Sequence, residues 1–375
     1  MAMLRGGIPL GTIFGISVRL HWSWFIIFFL VTWSLAAYYF PDAHPDWSRA
    51  TAVVTALATS LLFFASVLAH ELAHSVVAMR AGIPIHSITL FVFGGVSQMT
   101  REPGQPEIEF RMALAGPLAS LAIGGLCWGI WWLTRDVNEP VAAVAAWLGW
   151  INVVLAVFNL IPGFPLDGGR VLRSIIWWRN KNLRSATRTA TTIGRGFGYL
   201  FIFGGIFLVF FGNWIQGLWI AFIGWFLENA AVGSYRQVAL HDMLQGHTVS
   251  EVMTRECPRV SPKLSLEQLV HDYILNSGRR CFPVVENDRP LGLVTVHNVK
   301  AIPRGLWAVK TVTDAMTPFD QLKWVQAGDD LSTVLQLMTD EDVNQLPVLQ
   351  DGNIVGMVAR DNLLSFINTR AELGM

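Results

Sequence analysis

Apolar residues gather along the first part of the chain into six stretches, at about 17–40, 53–80, 109–133, 139–161, 197–212 and 214–232. A membrane-crossing helix needs roughly 20 predominantly apolar residues. Each stretch is therefore read as a span, the fifth and sixth being short and joined at Gly212-Asn213. The first is too long, and too poor in a small-residue cleavage site, for a signal peptide, and is expected to be retained. Asp and Glu are scarce before about Leu240 and frequent after it, so two regions with different solvents follow: a six-span part over 1–235 and a soluble part over 236–370.

Composition supports the membrane reading, since 53% of the 375 residues are hydrophobic and only 14% charged, too apolar for an ordinary soluble protein. Formal net charge is zero, so no overall field argues for nucleic acid, and none is expected as a partner. Cys127, Cys257 and Cys281 form no CxxC pair. Neither a structural disulfide nor a thiolate zinc site is expected, which suits a reducing compartment for the soluble part.

Lys and Arg mark the cytoplasmic side of a multi-pass chain. Arg170, Arg173, Arg179, Lys181, Arg184, Arg188 and Arg195 lie between the fourth and fifth spans, and Arg5, Arg80, Arg101, Arg111 and Arg236 fall on the same side. The amino terminus, this long basic loop and everything after Gly233 are expected to be cytoplasmic.

One stretch inside the second span, "FASVLAHELAHSVVAM" at 64–79, carries His70, Glu71 and His74. Each ionisable group there costs roughly 2.5–3.5 kcal/mol on insertion scales, so a functional reason is needed to keep it. At i and i+4 the two histidines share one helix face and can reach one ion. Glu71 sits one step round, placed to act on a water without ligating. Two nitrogen ligands, a third protein ligand, an open fourth position and a nearby carboxylate are what a zinc hydrolase requires.

The third ligand must come from elsewhere at the same depth. His70 lies ten residues before Arg80, hence roughly 15 Å inside the cytoplasmic edge at the helical rise. At the cytoplasmic end of the fourth span, "FNLIPGFPLDGGRVL" at 158–172 places Asp167 after two prolines and before two glycines. Helix is expected to break there and the backbone to bend into the bundle, so Asp167 is read as that ligand. The donor set of two histidines and a carboxylate suits several divalent ions.

With "HELAH" in one span and "NLIPGFPLDGG" closing another, the chain resembles the site-2 protease family of intramembrane zinc metalloproteases over about residues 1–235. The resemblance extends to "FVFGGV" at 91–96, which matches a glycine-bearing hairpin of such proteases. It implies one zinc per chain held by His70, His74 and Asp167, with Glu71 as general base and Asn159 contacting the substrate backbone or the developing oxyanion. It also implies a single-span transmembrane protein as substrate, cleaved in regulated intramembrane proteolysis, and the cell membrane of a prokaryote as location. The segment "IPIHSITLFVFGGVSQM" is itself too short and interrupted for a span, and its first half alternates as a strand does. An edge beside the site, with Gly94 and Gly95, would let an extended substrate pair by strand addition. His86, His21 and Glu228 are read as interfacial.

Two segments of the soluble part align at an offset of 63 to 64 residues: "VSEVMT" at 249–254 with "VTDAMT" at 312–317, and "FPVVENDRPLGLVTVHNV" at 282–299 with "LPVLQDGNIVGMVARDNL" at 346–363. One unit cannot bury its own sheet face, so the pair should pack as one α/β module. It resembles a tandem of CBS domains, a Bateman module, with copies at about 245–301 and 308–370. That resemblance implies regulation or homodimerisation, and often an adenine nucleotide at a Gly-x-Val-Thr-x-x-Asp turn. Here Gly292 and Thr295 are kept but Asn298 replaces the Asp, and the second copy has Gly356, Ala359 and Asn362.

Two other readings use the same residues. A transporter or channel could employ the intramembrane histidines and carboxylates as an ion path, and a catalytically dead scaffold could hold partners through the CBS pair.

Overall fold

The computed structural model describes residues 7–373 apart from Phe93, Thr100, Arg101, Glu102, Asp288 and Asp342, and omits the side chains of Arg236, Gln237, His241, Asp242 and Ala371. Arg5, Arg101 and the Arg236 side chain, assigned above to the cytoplasmic side, and Phe93 of the "FVFGGV" segment, therefore lie outside the described residues. The chain divides into two compact units between Gln237 and Val238.

The first unit begins with strands the span pattern did not predict, β1 (Ile8–Ile13) and β2 (Ile16–Leu20). Residues 17–20 had been assigned to the first span; they alternate Ser, Val, Arg, Leu, with Val18 and Leu20 buried and Ser17 and Arg19 less so. That is the period of a half-buried strand rather than a helix. Helix α1 (Ser23–Ser34) then leads through a π-helical turn at Leu35–Tyr39 into α2 (Phe40–Ala43), together the first of six helices among the described residues that are long and apolar enough to cross a membrane.

The second span is α3 (Arg49–Arg80). Its first turn is capped by Ser48, whose hydroxyl accepts from Thr51 N–H at 3.1 Å. Its end is closed by Gly82 at φ +76°, with Ile83 N–H donating to Ala78 O and Gly82 N–H to Met79 O, both at 3.0 Å. This is the left-handed Gly stop that satisfies a helix's last carbonyls. Strands β3 (Ile85–Phe91) and β4 (Gly94–Met99) follow. β3 pairs antiparallel with β4 and parallel with β2, giving one sheet in the order β1-β2-β3-β4. Ile16, Leu20, Ile85, Ile88 and Leu90 from this sheet bury against Phe64, Val67 and Ala78 of α3.

Helices α4 (Pro106–Thr134) and α5 (Glu139–Asn159) are the third and fourth spans. The basic segment expected as a loop is instead helical. It forms α6 (Asp167–Asn180), and Arg184, Arg188 and Arg195 lie on α7 (Leu183–Phe210). α6 is strongly amphipathic, its Gly168, Gly169, Arg173 and Ser174 buried while the rest of the helix is half-buried or exposed, so hydropathy alone hid it. For the same reason the fifth span begins well before residue 197, since the first turns of α7 are polar yet bury Ala186, Thr187, Ala190 and Thr191. α8 (Trp214–Leu244) likewise runs past residue 232.

The second unit contains the duplicated half-motifs: α9 (Val249–Val252), α10 (Leu266–Gln268) continued by a π-helical segment at Leu269–Leu275, β5 (Cys281–Glu286), β6 (Arg289–Thr295) and α11 (Val296–Lys300). The second copy has α12 (Val312–Ala315), β7 (Thr317–Pro318), β8 (Val325–Gln326), α13 (Leu331–Asp340), β9 (Gln345–Gln350), β10 (Asn353–Ala359) and α14 (Arg360–Glu372). Thr248 and Thr311 open the repeats with matching capping boxes, closed by Glu251 and Asp314. Two cores result, one around Phe282, Val284 and Val294, the other around Leu346, Val348 and Val358.

Candidate metal centre

His70 and His74 are both buried on the inner face of α3. Each ring is oriented by α4: His70 Nδ1 pairs with Ser120 Oγ at 2.9 Å, and His74 Nδ1 lies 2.6 Å from the Met112 carbonyl. A carbonyl only accepts, so His74 Nδ1 carries the proton and Nε2 presents its lone pair. The two Nε2 atoms are 3.2 Å apart, and Asp167 Oδ2 stands 3.1 Å from His70 Nε2 and 3.2 Å from His74 Nε2.

With Ser120 Oγ accepting from His70 Nδ1, as Met112 O does from His74, all three atoms present lone pairs, and crowded this closely they repel one another unless a cation lies among them. Ligand atoms of a tetrahedral zinc site stand about 3.3 Å apart, given metal–ligand distances near 2.0–2.1 Å. The donor set and its spacing thus fit zinc, and the bonds at the far ring nitrogens are those that commonly orient metal-ligating histidines.

The chain closes tightly around this triangle. A Cβ on Gly116 of α4 would meet His74 Nε2 at 2.2 Å and His70 Nε2 at 2.5 Å, so only a hydrogen fits there. Asp167 is brought in by the break between α5 and α6. The chain leaves α5 at Asn159, turns through Pro162, Gly163 and the cis Phe164-Pro165 bond, and starts α6 at Asp167 itself. A Cβ on Gly168 would lie 2.2 Å from Leu160 O, so the glycine after the ligand lets α6 begin directly against the returning loop. Farther along α6, Arg173 Nε donates to Glu109 Oε1 of α4 at 2.7 Å, its Nη2 donates to the same oxygen, and the guanidinium lies 5.0 Å from the Phe164 ring centroid. Both members of this pair are almost fully buried.

Glu71 points to the other side, toward β4. Its Oε2 accepts from Ser97 Oγ at 3.2 Å, and Ser97 Oγ is 3.3 Å from Ser75 Oγ. A Cβ on Gly95 would meet Glu71 Cγ at 2.4 Å, whereas Gly94 has open space and φ +123° at the hairpin turn. Asn159 lies at the end of α5, where its amide donates to Leu155 O at 3.0 Å, a bond within its own helix. His86 is exposed on β3, His21 Nδ1 pairs with Ser23 Oγ at 2.8 Å, and Glu228 accepts from Arg195 Nε at 3.0 Å.

Met112, Gly116, Ser120, Ser97 and the Glu109–Arg173 pair were not singled out from sequence. One signal existed: "AGPLAS" at 115–120 sets a Gly-Pro step inside a span, and an isolated Gly in a helical pattern points to close packing.

In the second unit, Thr295 caps α11. Its Oγ1 accepts from Asn298 N–H at 3.2 Å, while Asn298 Oδ1 accepts from Thr295 N–H at 2.9 Å and Asn298 Nδ2 donates to Thr317 Oγ1 at 3.3 Å. A Cβ on Gly292 would meet Thr317 O at 2.3 Å. Thr295 and Asn298 are thus bonded to each other and to Thr317, and Gly292 packs closely against the Thr317 backbone.

The sequence matches peptidase family M50 over residues 58–136 and 130–203, and the CBS domain over 249–303 and 312–369. A protein of Synechocystis sp. named as a zinc metalloprotease is 34% identical, the match covering 98% of this chain and 97% of that one. Rip3 of Mycobacterium tuberculosis, named likewise, is 32% identical over 97% of this chain and 94% of its own. The solved site-2 protease of Methanocaldococcus jannaschii is 30% identical, with a TM-score of 0.42, over 61% of this chain and 94% of that one. With family match, full-length relatives and six apolar helices in agreement, this chain belongs to peptidase family M50, the site-2 protease type of intramembrane metalloprotease, and carries a tandem of CBS domains.

Proposed function

We propose that the protein is a zinc-dependent endopeptidase that hydrolyses a peptide bond in or near the transmembrane helix of a membrane-protein substrate. The observation that carries this reading is the convergence of His70 Nε2 and His74 Nε2 of an apolar span with Asp167 Oδ2 of α6, within 3.1–3.2 Å of one another, with Glu71 next to His70. Zinc, when bound there, supplies Lewis acidity and lowers the pKa of a coordinated water to about 7.

The remaining work falls to the chain itself. Glu71 takes the proton of the attacking water and returns it to the leaving nitrogen. A substrate helix hides its peptide bonds, so it must unwind locally and have its freed backbone groups satisfied. β4 suits that task, because it is the last strand of its sheet and its Gly95 abuts Glu71. An extended substrate segment added to β4 would lie along the base. Asn159, at the mouth of the α5–α6 break, is assigned to the substrate backbone or the oxyanion once its helix-internal bond is released. The basic residues of α6 and the first turns of α7 support a cytoplasmic side for this end of the bundle, and the amino terminus and the CBS pair are assigned to that same side of a prokaryotic cell membrane.

The CBS pair is assigned a regulatory or homodimerising role; an adenine nucleotide at Gly292, Thr295 and Asn298 is the weaker part of this assignment, because Asn298 stands where the nucleotide-binding turn carries an Asp. Cleavage of a panel of single-span proteins by the purified protein in detergent tests the reading. Zinc-dependent cleavage of a member within its span is expected; transport of ions without cleavage would overturn it.

A further inference from the structure

We infer that Ser97 is a positioning residue for the general base, holding one carboxylate oxygen of Glu71 so that the other is presented to the reacting water. This rests on the reading of Glu71 given above. A glutamate that must take and return one proton needs a defined orientation, yet its side chain has three rotors and its carboxylate turns readily. The structure removes that freedom from one side only. Gly95 leaves no room beyond a hydrogen against Glu71 Cγ, fixing the stem, and Ser97, two residues on along β4, donates to Oε2 at 3.2 Å, fixing the head. Among the described residues Oε1 accepts no hydrogen bond, so it is the oxygen left for water.

The donor direction can be followed further. A hydroxyl has a single proton. Since that of Ser97 goes to Glu71, the contact between Ser75 Oγ and Ser97 Oγ at 3.3 Å must be donated by Ser75. Glu71 and Ser75 stand at i and i+4 on α3, so they share a face, and Ser97 docks between them from the strand. The hydroxyl chain thus runs from the residue after the ligand His74, across β4, and back to the base. Ser75 is fully buried, which keeps competing water from that end of the chain. The strand that holds the base is also the outer strand of its sheet, so substrate docking and base orientation share one element.

The test compares Ser97→Ala, Ser97→Thr and Ser75→Ala in the full-length protein with a cleavable single-span substrate. Loss of a hydrogen bond to a charged group predicts a fall in kcat of about 10- to 100-fold for Ser97→Ala, with KM and zinc content unchanged. Thr keeps the hydroxyl and suits a strand, so Ser97→Thr should recover most of the rate, and Ser75→Ala should show a smaller loss. In a Glu71→Gln background, adding Ser97→Ala should leave substrate affinity unchanged. A fully active Ser97→Ala beside a dead Glu71→Gln would overturn this inference alone. Lowered zinc content, or weaker substrate binding in the Glu71→Gln background, would overturn it too, by assigning Ser97 to site integrity or docking. An inactive wild type, or an active Glu71→Gln, would instead bring down the reading of the site itself.

Discussion

Gly116 of α4 lies so close to His74 of α3 that a Cβ added to it would stand 2.2 Å from His74 Nε2. The atom met is a ring nitrogen already tied through Nδ1 to the Met112 carbonyl at 2.6 Å, so the ring cannot swing away without losing that bond. Gly116→Ala is expected to weaken zinc binding by at least about tenfold, the scale seen when a ligand's orientation is disturbed, and to reduce cleavage in step. Zinc content by elemental analysis after dialysis against a chelator checks this; full zinc retention would show that α4 can move aside.

The buried pair Glu109–Arg173 joins α4, which orients the histidines, to α6, which carries Asp167. Their side chains are only 1% and 3% exposed, and Glu109 Oε2 has no described partner. Removing one member leaves a buried charge uncompensated, which costs about 3–5 kcal/mol, whereas replacing both with apolar residues of similar volume costs far less. Arg173→Met and Glu109→Leu should each lower the melting temperature in detergent more than the double variant does. Additive losses would contradict this account.

The two CBS copies give a paired test. A Cβ on Gly292 would meet Thr317 O at 2.3 Å, while one on the equivalent Gly356 would meet Thr254 O at 3.0 Å. Backbone must shift in the first case and by less in the second. Gly292→Ala should therefore destabilise the second unit more than Gly356→Ala, by about 1–3 kcal/mol as for other overpacked sites, measured as the shift in its unfolding transition.

Asp330 gives that unit a pH dependence of known sign. Burial alone would raise its carboxyl, but donation from Ser332 Oγ at 2.5 Å, with backbone N–H groups of Gly246 and Ser332 at 2.9 Å, holds it below the usual carboxylate range. A depressed folded-state value means stabilisation is present above the unfolded value of about 3.9 and is lost as pH falls through the folded one. Asp330→Asn should be less stable than wild type at pH 7, and the two should converge as pH falls through the lowered folded-state value of Asp330. A gap that persists in acid would assign the effect to shape rather than charge.

Much of the site was legible because its chemistry is costly. His70, Glu71 and His74 stand out in an apolar run, and Asp167 stands out between prolines and glycines. The strand reading of the first half of 83–99 followed from alternation, and β4 of that hairpin lies against Glu71. What stayed hidden was whatever looked ordinary by hydropathy. α6 is amphipathic and arginine-bearing, so it read as a loop, and its Arg173 read as a topological charge although it is buried against Glu109. β2 was absorbed into the first span because its alternation is only five residues long. Ser97 and Ser120 matter only through partners 26 and 50 residues away, a distance no local pattern reports.

The proposed mechanism has His70, His74 and Asp167 hold a metal for hydrolysis, with Glu71 as base. It is tested most directly by measuring zinc content and cleavage of a single-span substrate together, in wild type and Glu71→Gln. Since Glu71 stands outside the triangle of His70, His74 and Asp167, near-stoichiometric zinc is expected in both and cleavage in the wild type alone. Zinc lost from Glu71→Gln, or cleavage surviving in it, would contradict the account.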